Sequence, residues 1–106
     1  VRYRVIVTDP VFEVLQERAR YLAKESGSQE VAHRWLRRVF ATGETLAENP
    51  RRCALAAENR HRSFEIRWIG IGEFLLLFTI RDQTVWIIGA RHGRQRPRPS
   101  DLAEPE

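Results

Sequence analysis

The chain has 106 residues, 42% hydrophobic and 30% charged, which supports one folded domain and excludes a disordered or low-complexity chain. Eighteen Lys+Arg against 14 Asp+Glu leave a formal charge of +4, and with Lys24 the only lysine the positive charge is almost all arginine. Cys53 stands alone and His33, His61 and His92 are scattered, which excludes a disulfide framework and a spaced metal-ligand motif; neither metal nor cofactor is expected.

Tyr3, Val5 and Val7 alternate with Arg2, Arg4 and Ile6, the pattern of a short strand with one buried face. Asp9-Pro10 is a helix start, with Asp9 as the cap and Pro10 in the first turn, where its missing N–H costs nothing. Val11, Val14/Leu15, Arg18/Ala19 and Leu22 then recur at helical spacing from 10 to about 25. Gly27 suits a left-handed C-cap, and Ser28 caps a second helix running to about 48. Its stripe is Ala32, Trp35/Leu36, Val39/Phe40, Gly43 and Leu46/Ala47, with Gly43 as a close-packing point before Asn49-Pro50 stops the helix. So short a turn between helices predicts an antiparallel hairpin. Residues 50–62 have no clean period and read as a basic loop containing Arg60, His61 and Arg62, with a helical turn at 53–58.

Three apolar runs follow, at 64–69, 74–80 and 85–90, separated by Gly70-Ile71-Gly72-Glu73 and by Arg81-Asp82-Gln83. Phe64, Ile66 and Trp68 face one side of the first run, Glu65 and Arg67 the other. The second run is apolar on both faces and therefore reads as a central strand. The third ends in a basic knot, Arg91-His92-Gly93-Arg94-Gln95-Arg96-Pro97-Arg98. The tail from Pro97, with three prolines and Asp101, Glu104 and Glu106, reads as extended or frayed. The expected domain is thus residues 1–96, with a Pro-rich tail at 97–106. The order strand, helix, helix, three-stranded meander gives an α+β fold, a helical hairpin lying on one face of a mostly antiparallel sheet.

No run approaches the ~20 apolar residues of a membrane span. The opening residues also lack a secretory leader's apolar core, so the expectation is a cytoplasmic chain with no membrane partner. Arginine's planar fork favours bidentate contact with carboxylate or phosphate, which points the positive balance toward an acidic protein or nucleic acid. A GC-rich genome yields the same arginine count with no such partner.

These residues resemble the RelE/ParE superfamily of toxins from type II toxin–antitoxin systems over nearly the whole chain to about Arg96. The resemblance rests on Tyr3-Arg4-Val5, the hairpin ending in Leu46-Ala47-Glu48-Asn49-Pro50, and Glu65-Ile66-Arg67. It continues through Gly72-Glu73-Phe74-Leu75-Leu76-Leu77-Phe78 and through Val85-Trp86-Ile87-Ile88 into Arg91-His92-Gly93-Arg94. It implies the fold just derived, a bacterial cytoplasmic setting and one of two activities. RelE-like members cleave mRNA on the ribosome without a metal; ParE-like members poison DNA gyrase.

Metal-free RNA cleavage needs a base, an acid and cations on the phosphate. By resemblance, two strand positions that are basic in the nucleases fall on Glu65 and Arg67. A third, often arginine, falls on Leu75, and no tyrosine follows the last strand. The expectation is therefore a ParE-like toxin that contacts its target through Arg67, Arg91, His92, Arg94 and Arg96. The enzyme alternative places Glu65, Arg67, Arg91 and His92 in a nuclease site, with Glu65 as base and His92 as acid. A third reading is a non-toxic module that only binds an antitoxin. The resemblance also implies a cognate antitoxin with an acidic, partly disordered segment, for which Leu15, Trp35 and Phe40 are candidate anchors. Each residue also has a structural reading: Glu65 and Arg67 as a surface ion pair, His92 as a cap on the sheet end, Trp35, Trp68 and Trp86 as packing residues.

Overall fold

In the computed structural model, which describes residues 1–61, 64–98 and 101–105, the order is β1 (Arg4–Val7), α1 (Asp9–Ser26), α2 (Gln29–Glu44), β2 (Arg67–Ile71), β3 (Phe74–Arg81) and β4 (Thr84–His92). Arg62, Ser63, Pro99, Ser100 and Glu106, with the side chains of Arg60 and His61, lie outside the described residues.

The helix ends follow local chemistry. Gly27 takes the left-handed conformation (φ 69°) that closes α1, and the Ser28 hydroxyl accepts from Val31 N–H to open α2. The start of α1 differs from expectation by one residue. Thr8, rather than Asp9, is the N-cap, and its hydroxyl donates to Ile87 O at 2.8 Å instead of capping the helix. This bond ties the β1–α1 corner to β4. The buried stripe of α1 is Val11, Leu15 and Ala19; Val14 is exposed. Helix α2 ends at Glu44 and tightens into a 3-10 turn at Thr45–Ala47, earlier than its apolar stripe predicts. Arg52 braces that end, its guanidinium donating to the carbonyls of Thr45, Glu48 and Asn49 in the turn that follows the helix.

The sheet order is β1-β4-β3-β2. Strands β2, β3 and β4 form the expected antiparallel meander, and β3 is indeed central and buried on both faces. Strand β1 is parallel to β4, with Val5 opposite Val85. The helices cover one face over a core of Val11, Leu15, Val39, Leu46, Leu76, Phe78, Val85 and Ile87. Gly43 sits where a Cβ would meet Ile87 Cδ1 at 3.5 Å, a close approach of helix to sheet.

The other face has its own thin layer, which the periodicity did not reveal. Ala56, Ile66, Leu77, Ile88 and Leu102 form a second buried cluster. Strand β2 begins at Arg67, later than expected, because residues 64–66 belong to this layer. The expected helical turn at 53–58 is absent. Short 3-10 turns lie instead at Pro50–Arg52 and Ala57–His61, and the stretch between them runs along the outer edge of β2. Ala56 N–H donates to Ile66 O (2.7 Å) and Trp68 N–H to Ala54 O (3.1 Å), so the edge is covered. The tail is docked rather than frayed: Leu102 is buried in the second cluster and Ala103 N–H donates to Ile88 O at 2.8 Å.

Candidate target-binding surface

Strand β4 carries the knot. Its ladder with β3 shifts register between Leu77 and Phe78, which pair with Gly89 and Ile87, leaving Ile88 as an extra residue. Such a bulge re-aims the residues beyond it. Past Ile87 no strand among the described residues pairs with its outer side, because β1 ends at Val7, and the tail meets it at one backbone bond, Ala103 N–H to Ile88 O.

Arg91 is the best-held residue of the knot. Its Nε donates to Glu58 Oε2 at 2.7 Å and its Nη2 to Glu58 Oε1 at 3.3 Å, a bidentate pair in which Glu58 is 1% and Arg91 14% exposed. The remaining nitrogen, Nη1, reaches the carbonyls of His92 and Gln95. The following turn is knitted by side chains. Gln95 Oε1 accepts from His92 N–H at 2.7 Å, and His92 Nδ1 accepts from Arg94 N–H at 3.1 Å. With Nδ1 accepting, Nε2 carries the ring proton and faces Glu73 Oε2 at 3.4 Å. Arg94 stands out from this frame with 86% of its side chain exposed, and Arg96 and Arg98 are exposed as well.

The expected site residues separate into two groups. Arg67 lies against the other end of the sheet, opposite Phe78, whereas His92 lies opposite Phe74. Four residues of β3 between those positions span ~13 Å, and Glu65 lies two residues further out. Arg67 is occupied there, donating to Cys53 O (2.6 Å), Arg51 O (3.3 Å) and Glu65 Oε1 (3.1 Å). Burial raises the pKa of the neighbouring Cys53 thiol from the ordinary 9.0, opposed by the positive charges of Arg52 and Arg67. Arg91, His92, Arg94 and Arg96 do come together in one turn. Part of the arginine content is thus structural, since Arg52, Arg67 and Arg91 hold backbone carbonyls and a buried carboxylate.

A groove of about 870 Å³ adjoins the turn, running between α1 and the free edge of β4. Val14, Arg18 and Tyr21 line one side, Ala90, Arg91 and His92 the other, and Arg96 and Arg98 stand at its rim. Arg18 Nε is buried here with no hydrogen-bond partner among the described residues, while the guanidinium lies over the Tyr21 ring at 4.9 Å. The three anchors proposed from sequence do not form one surface. Leu15 is fully buried core. Trp35 is half-buried, edge-on to Phe74 at 5.4 Å, and Phe40 packs beside Phe12 at 6.1 Å. Five residues apart, Trp35 and Phe40 point about 140° apart around α2. Sequence reasoning missed Glu58, whose only signal was an acidic residue ending the Ala54-Leu55-Ala56-Ala57 run. It also missed Gly89 and Leu102, which have no short-range signal.

Among the described residues no group of three or more His, Cys, Asp or Glu side chains could hold a metal, and no helix is long and apolar enough to cross a membrane. The fold is a small basic α+β domain with an internally hydrogen-bonded, arginine-bearing turn beside a groove lined by Arg18, Arg96 and Arg98 together with Glu17 and Asp101. A family model described as the ParE toxin of the type II toxin–antitoxin system, parDE, matches residues 5–97. The chain belongs to this family, so it is a type II toxin–antitoxin toxin and its family implies an antitoxin partner. No curated protein matches it.

Proposed function

We propose that this chain is a cytoplasmic ParE-type toxin that grips DNA gyrase through the turn at 91–98 and is neutralised by a cognate antitoxin. The observation that carries the reading is the division of the expected nuclease residues. Glu65 and Arg67 lie at one end of β3 and His92 at the other, ~13 Å or more apart. A base and an acid acting on one phosphate must both lie within hydrogen-bond reach of it. Leu75 supplies no charge, and Arg91 is bound to Glu58. What remains outward is Arg94, Arg96 and Arg98 on a braced turn, a surface for contact with an acidic face of the target.

For the antitoxin, support comes from the groove. Arg18 Nε has no hydrogen-bond partner among the described residues, and Arg18, Arg96 and Arg98 favour a carboxylate-bearing segment. An extended segment there has beside it the stretch of β4 beyond Ile87, where β1 no longer pairs. The test is purified chain added to gyrase and plasmid, with a parallel translation reaction. Expected are linearised plasmid, intact mRNA, and loss of at least tenfold in potency for Arg94→Glu/Arg96→Glu, since two charge-assisted contacts at ~1.5–3 kcal/mol each are reversed. Codon-phased mRNA cuts that disappear in His92→Ala would replace this reading with the ribonuclease one. Growth unaffected by expression without the antitoxin would leave only the non-toxic binding module.

A further inference from the structure

Part of the groove's wall is a short acidic segment of the chain itself, with Asp101 and Leu102 among the lining residues. Residues 101–105 lie beyond the stretch matched by the ParE toxin family. Leu102 nevertheless packs with Ala56, Ile66, Leu77 and Ile88 as part of the sheet's second core. Its seat is shaped by Gly89. A Cβ there would stand 2.4 Å from Leu102 Cδ2 and 3.2 Å from Leu77 Cδ1, so a side chain at 89 forces the Leu102 side chain to shift from this seat. Glycine in a strand interior weakens pairing and often marks close approach of another group; here that group is Leu102.

The backbone seats the same segment. Ile88 is the extra residue of the β4 bulge, and its carbonyl accepts from Ala103 N–H at 2.8 Å. Asp101-Leu102-Ala103-Glu104 therefore presents a leucine in a glycine socket, a backbone donor on the bulge carbonyl, and two acidic residues flanking the leucine, of which Asp101 lines the groove with Arg18, Arg96 and Arg98. These are the features expected of a segment suited to this groove.

We infer that the Gly89 socket is a binding site for a leucine within an acidic segment, that residues 101–104 occupy it in the free chain, and that the antitoxin binds by displacing them. This rests on the groove being the antitoxin site, but the competition for the socket is measurable without reference to toxicity. The tail is then a self-supplied stand-in that covers the apolar second face until a better-matched segment arrives. Affinity for the partner is lowered by the fraction of chains in which the tail is seated.

The probe is a fluorescent synthetic peptide with the sequence of residues 98–106, titrated against proteins comprising residues 1–106. Leu102→Asp frees the socket and should bind the peptide at least about tenfold more tightly than the wild-type chain, whose own tail competes. Leu102→Asp/Gly89→Ala should lose that gain, as should a peptide carrying the same Leu-to-Asp change. Equal binding to wild type and Leu102→Asp, or undiminished binding to the double variant, would overturn the proposal. Hydrogen exchange on the wild-type chain gives a second reading that needs no variant to fold. The Ala103 amide should exchange at least about tenfold more slowly than in the free peptide, and exchange at the free-peptide rate would also overturn it. Peptide competition in a chain that fails to arrest growth would refute the toxin reading and leave the socket intact; toxicity without competition would do the reverse.

Discussion

Replacing Glu58 by alanine removes one half of the most enclosed ion pair among the described residues. The carboxylate is 1% exposed and meets Arg91 through two bonds of 2.7 and 3.3 Å. At an effective dielectric of 20, opposite charges at this range attract by about 4 kcal/mol. Breaking such a pair from one side generally costs about 3–5 kcal/mol, because a charge is left behind without its partner. Arg91 keeps the carbonyls of His92 and Gln95, so the lower end applies, about 3 kcal/mol. For a domain of this size that corresponds to a fall in Tm of roughly 12–24 °C. Urea titration followed by circular dichroism measures it, and an unchanged m-value would show that the loss lies in the native contacts. Glu58→Ala/Arg91→Met, which removes both charges and fills the space with an apolar chain, should recover much of the deficit. A Glu58→Ala chain within 0.5 kcal/mol of wild type would refute the claim that this pair braces the turn.

Three further outcomes are expected. Leu15→Ala should destabilise the fold by about 2–5 kcal/mol in the same titration, since Leu15 is core rather than an antitoxin anchor. Gly27→Ala forces a side chain into the left-handed C-cap of α1 and should cost about 1 kcal/mol, read as a shift in the urea midpoint at constant slope. The raised Cys53 pKa means that the fold favours the neutral thiol. That contribution is fully present below the thiol's unfolded-state pKa and is lost as pH rises through the higher folded-state value. Stability of wild type should therefore fall more steeply than that of Cys53→Ala on the alkaline side. Iodoacetamide should label Cys53 more slowly in the folded chain than in urea.

Periodicity was enough for the helical hairpin, the meander and the central place of β3, because those depend on local spacing that a buried stripe imposes. It also placed Gly27 and Ser28 correctly, since a left-handed cap and an N-cap are chemistry of one or two residues. The second core was not legible. Its members Ala56, Ile66, Leu77, Ile88 and Leu102 come from five separate places, and no period links them. The bulge at Ile88 had the same effect on a smaller scale, since one extra residue changes which side chains face the tail. At the site, the basic turn was recognisable as a run of arginines. Which of them are exposed depended on Glu58, a residue whose partner lies on the far side of the fold's long loop. Leu15, Trp35 and Phe40 were chosen as apolar residues on helices, and helix spacing alone cannot separate a core residue from a surface one when the stripe is wide.

The parallel pairing of β1 with β4 has a consequence for the timing of synthesis. Val5 leaves the ribosome well before its partner Val85, with both helices and two strands made between them. The contacts that close the sheet are therefore long in sequence and slow to form. The knot follows β4 directly, so the basic turn cannot be framed until β4 has been made and paired. A product ending before β4 would carry the helices without the basic turn. The framing of that turn is thus conditional on the longest-range pairing of the sheet.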